Sequence, residues 1–278
     1  MISFESVTKT YPGPTRSSPE VVAVQETSFE VATGTITVLA GSSGCGKTTL
    51  LRMVNRMVTP SSGSIHIDGQ DIATMNPVQL RRSIGYVMQH AGLLPHKTVA
   101  ENIAVVPRLN GATKRAARQS VTNMLELVEL DADIADRYPA ELSGGQAQRV
   151  GVARALADQP NILLMDEPFG AVDPVVRAEL QQQLIGIQQE LGTTILFVTH
   201  DMPEALLLGD EIIVLAKPGR IIQQDSPAQL VAAPANAFVE AFLGLNGATS
   251  KLQTRVTDDG RVLVVDAQGR PAGFLEQP

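Results

Sequence analysis

The chain has 278 residues, 44% of them hydrophobic and 18% charged, with a formal net charge of −7. That suits one large globular domain or two modest ones, and the acidity argues against a polyanion partner, which selects for a basic face. The single cysteine, Cys45, excludes an internal disulfide and points to a reducing compartment. No apolar run approaches the roughly 18 residues needed to span a bilayer, and the opening MISFESVTKTYPG lacks the pattern of an export signal.

Residues 2–8 (ISFESVT) alternate as a strand that the run Tyr11-Pro12-Gly13-Pro14 ends. Residues 12–19 read as an exposed loop, and strand character resumes at 21–24 and 27–31. TITVLA (35–40) is expected to be a short buried strand. It runs into Gly41-Ser42-Ser43-Gly44-Cys45-Gly46-Lys47-Thr48-Thr49, the phosphate-loop pattern G-x-x-x-x-G-K-[ST]. Leu50, Leu51, Val54, Met57 and Val58 then fall at helical spacing. Strand, glycine loop and helix form the context that pattern requires. Glycines let successive N–H groups point into one concavity, and the helix adds the positive end of its dipole. Lys47 supplies a point charge for the outer phosphates, and the Thr48 hydroxyl is suited to a phosphate-bound Mg²⁺. A nucleoside triphosphate is the ligand these residues imply.

Pro60-Ser61-Ser62-Gly63 reads as a turn, 64–67 as a strand, Asp68-Gly69 as a hairpin signal and 84–88 as a strand leading into Gln89. From about 97 to 157 the pattern is helical. Residues 115–130 place Val121, Met124, Leu125 and Val128 on one face, and 143–157 form a second long helix. Its opening, Leu142-Ser143-Gly144-Gly145-Gln146, has Ser143 as N-cap and two glycines exposing amides at a positive helix end. That is a second anion-binding device. ILLM (162–165) reads as a buried parallel strand and delivers Asp166 and Glu167 to the edge where α/β folds bind ligands. Adjacent carboxylates alternate sides, one towards a Mg²⁺ shell and one towards an attacking water. Asp173-Pro174 caps a helix with Val176, Leu180, Leu184, Ile187 and Leu191 on its apolar face, ended by Gly192. Residues 194–198 form a further buried strand that brings His200 to the same sheet edge as Asp166. Residues 212–215 form another, followed by the turn Lys217-Pro218-Gly219-Arg220. Strands alternating with helices imply a parallel α/β core interrupted by a helical insert.

The set Tyr11, GSSGCGKTT, Gln89, LSGGQAQRV, ILLMDEP, Asp173 and His200, in that order, resembles the nucleotide-binding subunit of an ABC transporter over roughly residues 2–245. The resemblance implies an α/β P-loop NTPase. It would have a RecA-like core with an antiparallel β subdomain, an inserted helical subdomain at about 97–157 and a short C-terminal β extension from 246 to 278. It also implies a head-to-tail homodimer with two ATP molecules at the interface. In that picture Ser42, Ser43, Gly44, Cys45, Gly46, Lys47, Thr48 and Thr49 hold the phosphates. Tyr11 stacks on adenine, with Val24 as a further base or ribose contact. Thr48 and Gln89 address Mg²⁺ and Asp166 anchors it through water. Glu167 is the general base, His200 contacts the γ-phosphate and Gln89 completes the catalytic set. Ser143, Gly144, Gly145 and Gln146 cap the γ-phosphate held by the other subunit, and Asp173 lies across the interface. A thiol reagent at Cys45 is expected to block ATP binding. Ala147, where many relatives carry a second glutamine, and the long 12–20 loop depart from the family pattern without touching the chemistry.

LRMVNRMVTPSSGSIHIDGQDI and RRSIGYVMQHAGLLPHKTVAENI are similar to ATPase subunits of quaternary-amine osmoprotectant importers, for glycine betaine, choline or carnitine. The resemblance implies a transmembrane permease and an extracytoplasmic substrate-binding protein as partners, no nucleic acid, and a peripheral place on the cytoplasmic face of the membrane. Import of amino acids or another small solute, or a soluble non-transport ABC ATPase, are the alternatives. The tail reads as a three-stranded meander with turns at 258–261 and 267–270, and VLVVDAQGRPAGFL is similar to a strand-turn-strand fragment of a CBS module.

Overall fold

Two units make up the chain in the computed structural model, Met1–Pro227 and Ala228–Pro278. The described residues are 1–13, 18–170, 172–245, 252–257, 261–265 and 269–275.

In the first unit β1 (Ile2–Tyr11) and β2 (Val21–Val31) pair antiparallel, with Ile2 opposite Val31 and Tyr11 opposite Val21. β3 (Ile36–Gly41) leads through the phosphate loop into α1 (Lys47–Val54). β4 (Ser62–Ile67) and β5 (Gln70–Asp71) complete an antiparallel sheet of order β2-β1-β4-β5. Asp68 and Gly69, with φ of 50° and 78°, make the tight turn between them. After α2 (Pro77–Ser83) and β6 (Ile84–Val87) come α3 (Val99–Ile103), α4 (Val105–Leu109), α5 (Lys114–Leu127) and α6 (Gly144–Leu156). β7 (Ile162–Asp166), α7 (Pro174–Leu191), β8 (Thr194–Thr199), α8 (Met202–Leu208), β9 (Glu211–Ala216) and β10 (Arg220–Asp225) follow. The main sheet runs β10-β9-β3-β8-β7-β6. Its neighbours are parallel except β10, which pairs antiparallel with β9.

The uninterrupted apolar runs of β3, β7 and β8 are buried at every residue, as strands covered on both faces must be. α1 belongs to both sheets. Its Leu50, Leu51, Met53 and Val54 share one core with Ile2, Phe4, Phe29 and Ile65 of the antiparallel sheet and with Leu39, Leu164, Leu196 and Ile213 of the main sheet. Phe4 and Phe29 stack there at 4.1 Å. A helix packed from both sides holds the loop at its N-terminus in one place. In the helical insert Val121, Met124, Leu125 and Val128 are all buried, as their spacing requires.

The structure differs from the sequence expectations at four points. β2 is one strand through Gln25 and Glu26, because register shifts in its pairing with β1 absorb the irregularity. α1 stops at Val54: Asn55 caps it and Arg56 takes φ 55°, so Met57 lies past the helix, exposed. Leu191 closes α7 on the solvent side. β10, unforeseen, makes Lys217-Pro218-Gly219 the turn of a hairpin.

α9 (Pro227–Ala232) marks the division between the units. The second unit contains α10 (Ala237–Phe242) and the sheet β11 (Gln253–Val256), β12 (Val262–Val265) and β13 (Pro271–Leu275), a meander in chain order. The sequence boundary at 245 falls inside this unit. Turn residues 258–260 and 267–268, and 14–17 of the first loop, lie outside the described residues. No helix among the described residues is long and apolar enough to cross a membrane.

Candidate active site

The phosphate loop closes on itself before it meets any ligand. Gly46 has φ 108°, and a Cβ there would stand 2.7 Å from the Ala23 carbonyl, so glycine is required on both counts. The Cys45 amide donates to the Ser42 carbonyl at 3.2 Å. Lys47, buried beneath the loop, donates from Nζ to the Gly41 carbonyl at 2.6 Å and to the Ser42 carbonyl at 3.2 Å. An ammonium has three N–H groups, so these contacts aim the charge and leave one donor for a phosphate. Above the loop lies a cavity of about 290 Å³ lined by Ser43, Gly44, Gly46, Lys47, Thr48, Thr49 and Glu167, with Val21, Val22 and Ala23 as its other wall.

The two carboxylates at the end of β7 divide as alternation demands. Asp166 accepts from the Thr48 hydroxyl on Oδ1 at 2.8 Å, and on Oδ2 from Tyr86 at 3.2 Å and from Arg52 at 3.3 Å. Burial pushes the Tyr86 phenol above its ordinary pKa, which keeps it protonated and a donor. The Arg52 guanidinium is held more firmly charged, first by its hydrogen bond with Tyr86. Glu167 points the other way, with Oε2 3.0 Å from His200 Nδ1. Its φ of 47° is a strained backbone for a non-glycine residue, of the kind that collects at functional sites. Gln89 completes the group: Gln89 Nε2 and Glu167 Oε2 stand 3.7 and 4.0 Å from where a Cβ on Gly170 would lie. The loop after Gln89 is fixed from the insert. Arg154 of α6 donates to the Ala91 and Gly92 carbonyls at 2.7 Å each, and the buried Asn102 bonds both the amide and the carbonyl of Leu94.

The helix start at Ser143 is built as its residue types require. Ser143 Oγ accepts from the Gln146 amide at 3.2 Å, and Gln146 Oε1 accepts from the Ser143 amide at 3.0 Å, a reciprocal capping box. Gly145 packs against α7, where a Cβ would stand 2.6 Å from Val176 Cγ1. Asp173 caps α7 by accepting from the Val175 amide at 2.9 Å. Ser143, Gly144, Gly145, Gln146 and Asp173 line no part of the cavity over the phosphate loop. Within one chain, the helix start at Ser143 therefore does not reach the cavity over the phosphate loop.

Two expectations need correction. Val24 is wholly buried in the shared core and packs over Gly46 and Gly219, so its side chain is closed to a base. Its neighbours Val21 and Val22 are exposed and line the cavity, beside the half-exposed Tyr11, whose ring carries Lys9 Nζ at 4.9 Å from its centroid. Cys45 is also wholly buried, and burial pushes its thiol above the ordinary value. An aromatic disulfide reagent should leave the folded chain unlabelled over minutes and titrate the one thiol after denaturation, read by absorbance. Rapid labelling of the native chain would contradict this. Arg52 and Tyr86 were not foreseen. Arg52, four residues after Thr48 on the same helix face, carried the only sequence hint.

Residues 24–170 match the family model described as ABC transporter. The chain is 48% identical over 244 residues to the carnitine transport ATP-binding protein OpuCA of Listeria monocytogenes serotype 1/2a (strain 10403S), covering 88% of this chain and 60% of that protein. It is 42% identical over 306 residues to the osmoprotectant import ATP-binding protein OsmV of Salmonella typhimurium (strain LT2), covering 100% of this chain and 79% of that one. The chain thus spans about three fifths of the length of the carnitine relatives it matches. Among solved structures, the ATP-binding cassette MJ0796, a dimer in a post-hydrolysis state bound to ADP and Pi, superposes with a TM-score of 0.73 at 31% identity. That match covers 82% of this chain and 99% of the other.

Proposed function

This chain belongs to the ABC transporter family, and on that premise we propose that it is the ATP-hydrolysing subunit of an importer for quaternary-amine osmoprotectants such as glycine betaine, carnitine or choline. The observation that carries the proposal is the pair of anion devices that one chain cannot bring to one ligand. A second copy, placed head to tail, sets Ser143 and the amides of Gly144 and Gly145 over the phosphates held by Lys47. Each ATP then joins two subunits, and its hydrolysis releases them.

Within one such site the amides of Gly44 to Gly46, Lys47 and Thr49 hold the phosphates, and Tyr11 with Val21 receives the base. The Thr48 hydroxyl and the Gln89 side-chain oxygen are hard ligands that fit Mg²⁺, and Asp166, whose Oδ1 accepts from Thr48 at 2.8 Å, would anchor the cation through water. Bound there, the cation would neutralise charge on the phosphates. Glu167 takes a proton from the water that attacks the γ-phosphorus, and His200 holds that carboxylate in line and reaches the γ-phosphate. Asp173 of each copy lies across the interface. The chain's net charge of −7 supports protein rather than nucleic-acid partners.

For the permease we propose the depression of about 310 Å³ next to Gln89, lined by the apolar Met88, Leu94, Val105 and Val106 with Arg81 and Arg82. An extracytoplasmic binding protein would deliver the solute to that permease, and the subunit would sit on the cytoplasmic face. The division into an ATPase domain up to about residue 245 and a CBS-like extension beyond it is part of the same proposal. Copurification with the membrane partner and reconstitution in liposomes with the binding protein tests it. ATP hydrolysis should rise several-fold with glycine betaine, carnitine or choline. A response to amino acids alone would reject the solute class.

A further inference from the structure

Between α7 and the start of α8 runs a ladder of polar contacts that the chemistry above does not use. The Arg177 Nη2 donates to the Val172 carbonyl at 3.3 Å, and Nη1 stands 3.7 Å from Asp201 Oδ2. The Arg177 amide donates to the Asp173 carbonyl at 2.8 Å. One turn further along α7, Gln181 Nε2 donates to Glu204 Oε1 at 2.9 Å, inside the core. Glu204 in turn takes the Thr199 hydroxyl, while its amide donates to Asp201 Oδ1 at 3.0 Å.

His200 sits between Thr199 and Asp201, and both neighbours are therefore tied to α7. The same helix begins at Asp173. We propose that Arg177 is a positioning residue that joins the Val172–Asp173 turn to His200, so that contact of that turn with a second subunit sets His200 against Glu167. The proposal rests on the ATPase reading. A planar guanidinium carries its donors in a rigid fork, so the Val172 carbonyl and the Asp201 carboxylate are held at a set angle to each other, whereas the donors of a lysine ammonium rotate on a flexible stem. The pair with Asp201 is part-exposed and long, so it adds little to stability, and its value lies in where it holds its neighbours. Were the ladder only a brace, its loss would lower the melting temperature and leave turnover alone.

In the full chain with Mg-ATP, Arg177→Ala should lower kcat about tenfold with KM for ATP within about twofold, and Arg177→Lys should fall between. In a His200→Ala background the same change should cost nothing further, because both act through one group. A kcat within about twofold of wild type, or a full additional loss in the His200→Ala background, overturns the proposal. Hydrogen exchange needs no turnover and separates this proposal from the ATPase reading. Arg177→Ala should speed exchange at the amides of Val172, Asp173 and Val175 and at those of Asp201, Met202 and Glu204 alike, with α1 unchanged. Unchanged protection in either segment overturns the coupling even in a chain that hydrolyses nothing. Should Arg177→Ala not fold, Arg177→Lys, which keeps the charge and loses the fork, carries the same comparisons.

Discussion

Replacing Glu167 by glutamine should cut ATP turnover by roughly 10²–10⁴-fold, the span that a positioned general base supplies, and leave the KM for ATP nearly as it was. Glutamine has the same shape and still accepts a hydrogen bond from His200, so the site keeps its geometry and loses only its basicity. The strained φ of 47° at this residue favours such a substitution as a clean probe, since the backbone cost is paid equally by both side chains. In energy terms the loss is about 3–5 kcal/mol of barrier. Binding is untouched, because Lys47, Thr48 and the loop amides do not change. ATP that binds and does not leave should then hold two subunits together. Phosphate release measures the first effect and light scattering with Mg-ATP the second. A wild type no faster than the variant would end the enzyme reading.

How much of this was open to the sequence depends on whether a function is carried by contiguous chain or by packing. The phosphate loop and the Ser143 helix start were legible because backbone amides can converge only through a fixed local order of glycines, cap and helix. The buried strands were legible for a related reason: a strand covered on both faces has no polar alternation to hide. Arg52 and Tyr86 were not, since they come from α1 and β6 and reach Asp166 only because β6 lies beside β7 and α1 packs against β7. Val24 was misread because its burial follows from the register of β2 on β1 and from the close approach of Gly46 and Gly219. Cys45 was misread for the same kind of reason: a loop that looks exposed in sequence wraps its one apolar side chain inwards, next to Gly41. β10 needed the free edge of β9 before its residues could be seen as a strand.

Removing the Lys47 ammonium should have the other large effect, and its consequences separate the two anion devices. Lys47→Ala deletes the buried positive charge under the loop; water can take its place at the Gly41 and Ser42 carbonyls but brings no charge to the phosphates. A charge-assisted contact to phosphate of this kind is worth roughly 1.5–3 kcal/mol, so ATP affinity should fall by on the order of 10–100-fold, and turnover with it. Ser143→Arg should behave differently. Its own phosphate loop is intact, so ATP binding by the single chain should be normal, read by nucleotide fluorescence. The arginine would project from a helix start that is meant to meet another chain's triphosphate, so dimerisation and hydrolysis should both be lost. Mixed together, the two impaired variants should turn over ATP faster than either does alone. The Ser143→Arg chain supplies an intact Lys47 and the Lys47→Ala chain an intact Ser143, which makes one complete site in each mixed pair. Each chain of that pair is defective in a different half, so recovery requires the halves to come from different chains. If mixing restored nothing while both variants remained folded, the two devices would not face each other, and the head-to-tail arrangement would be wrong.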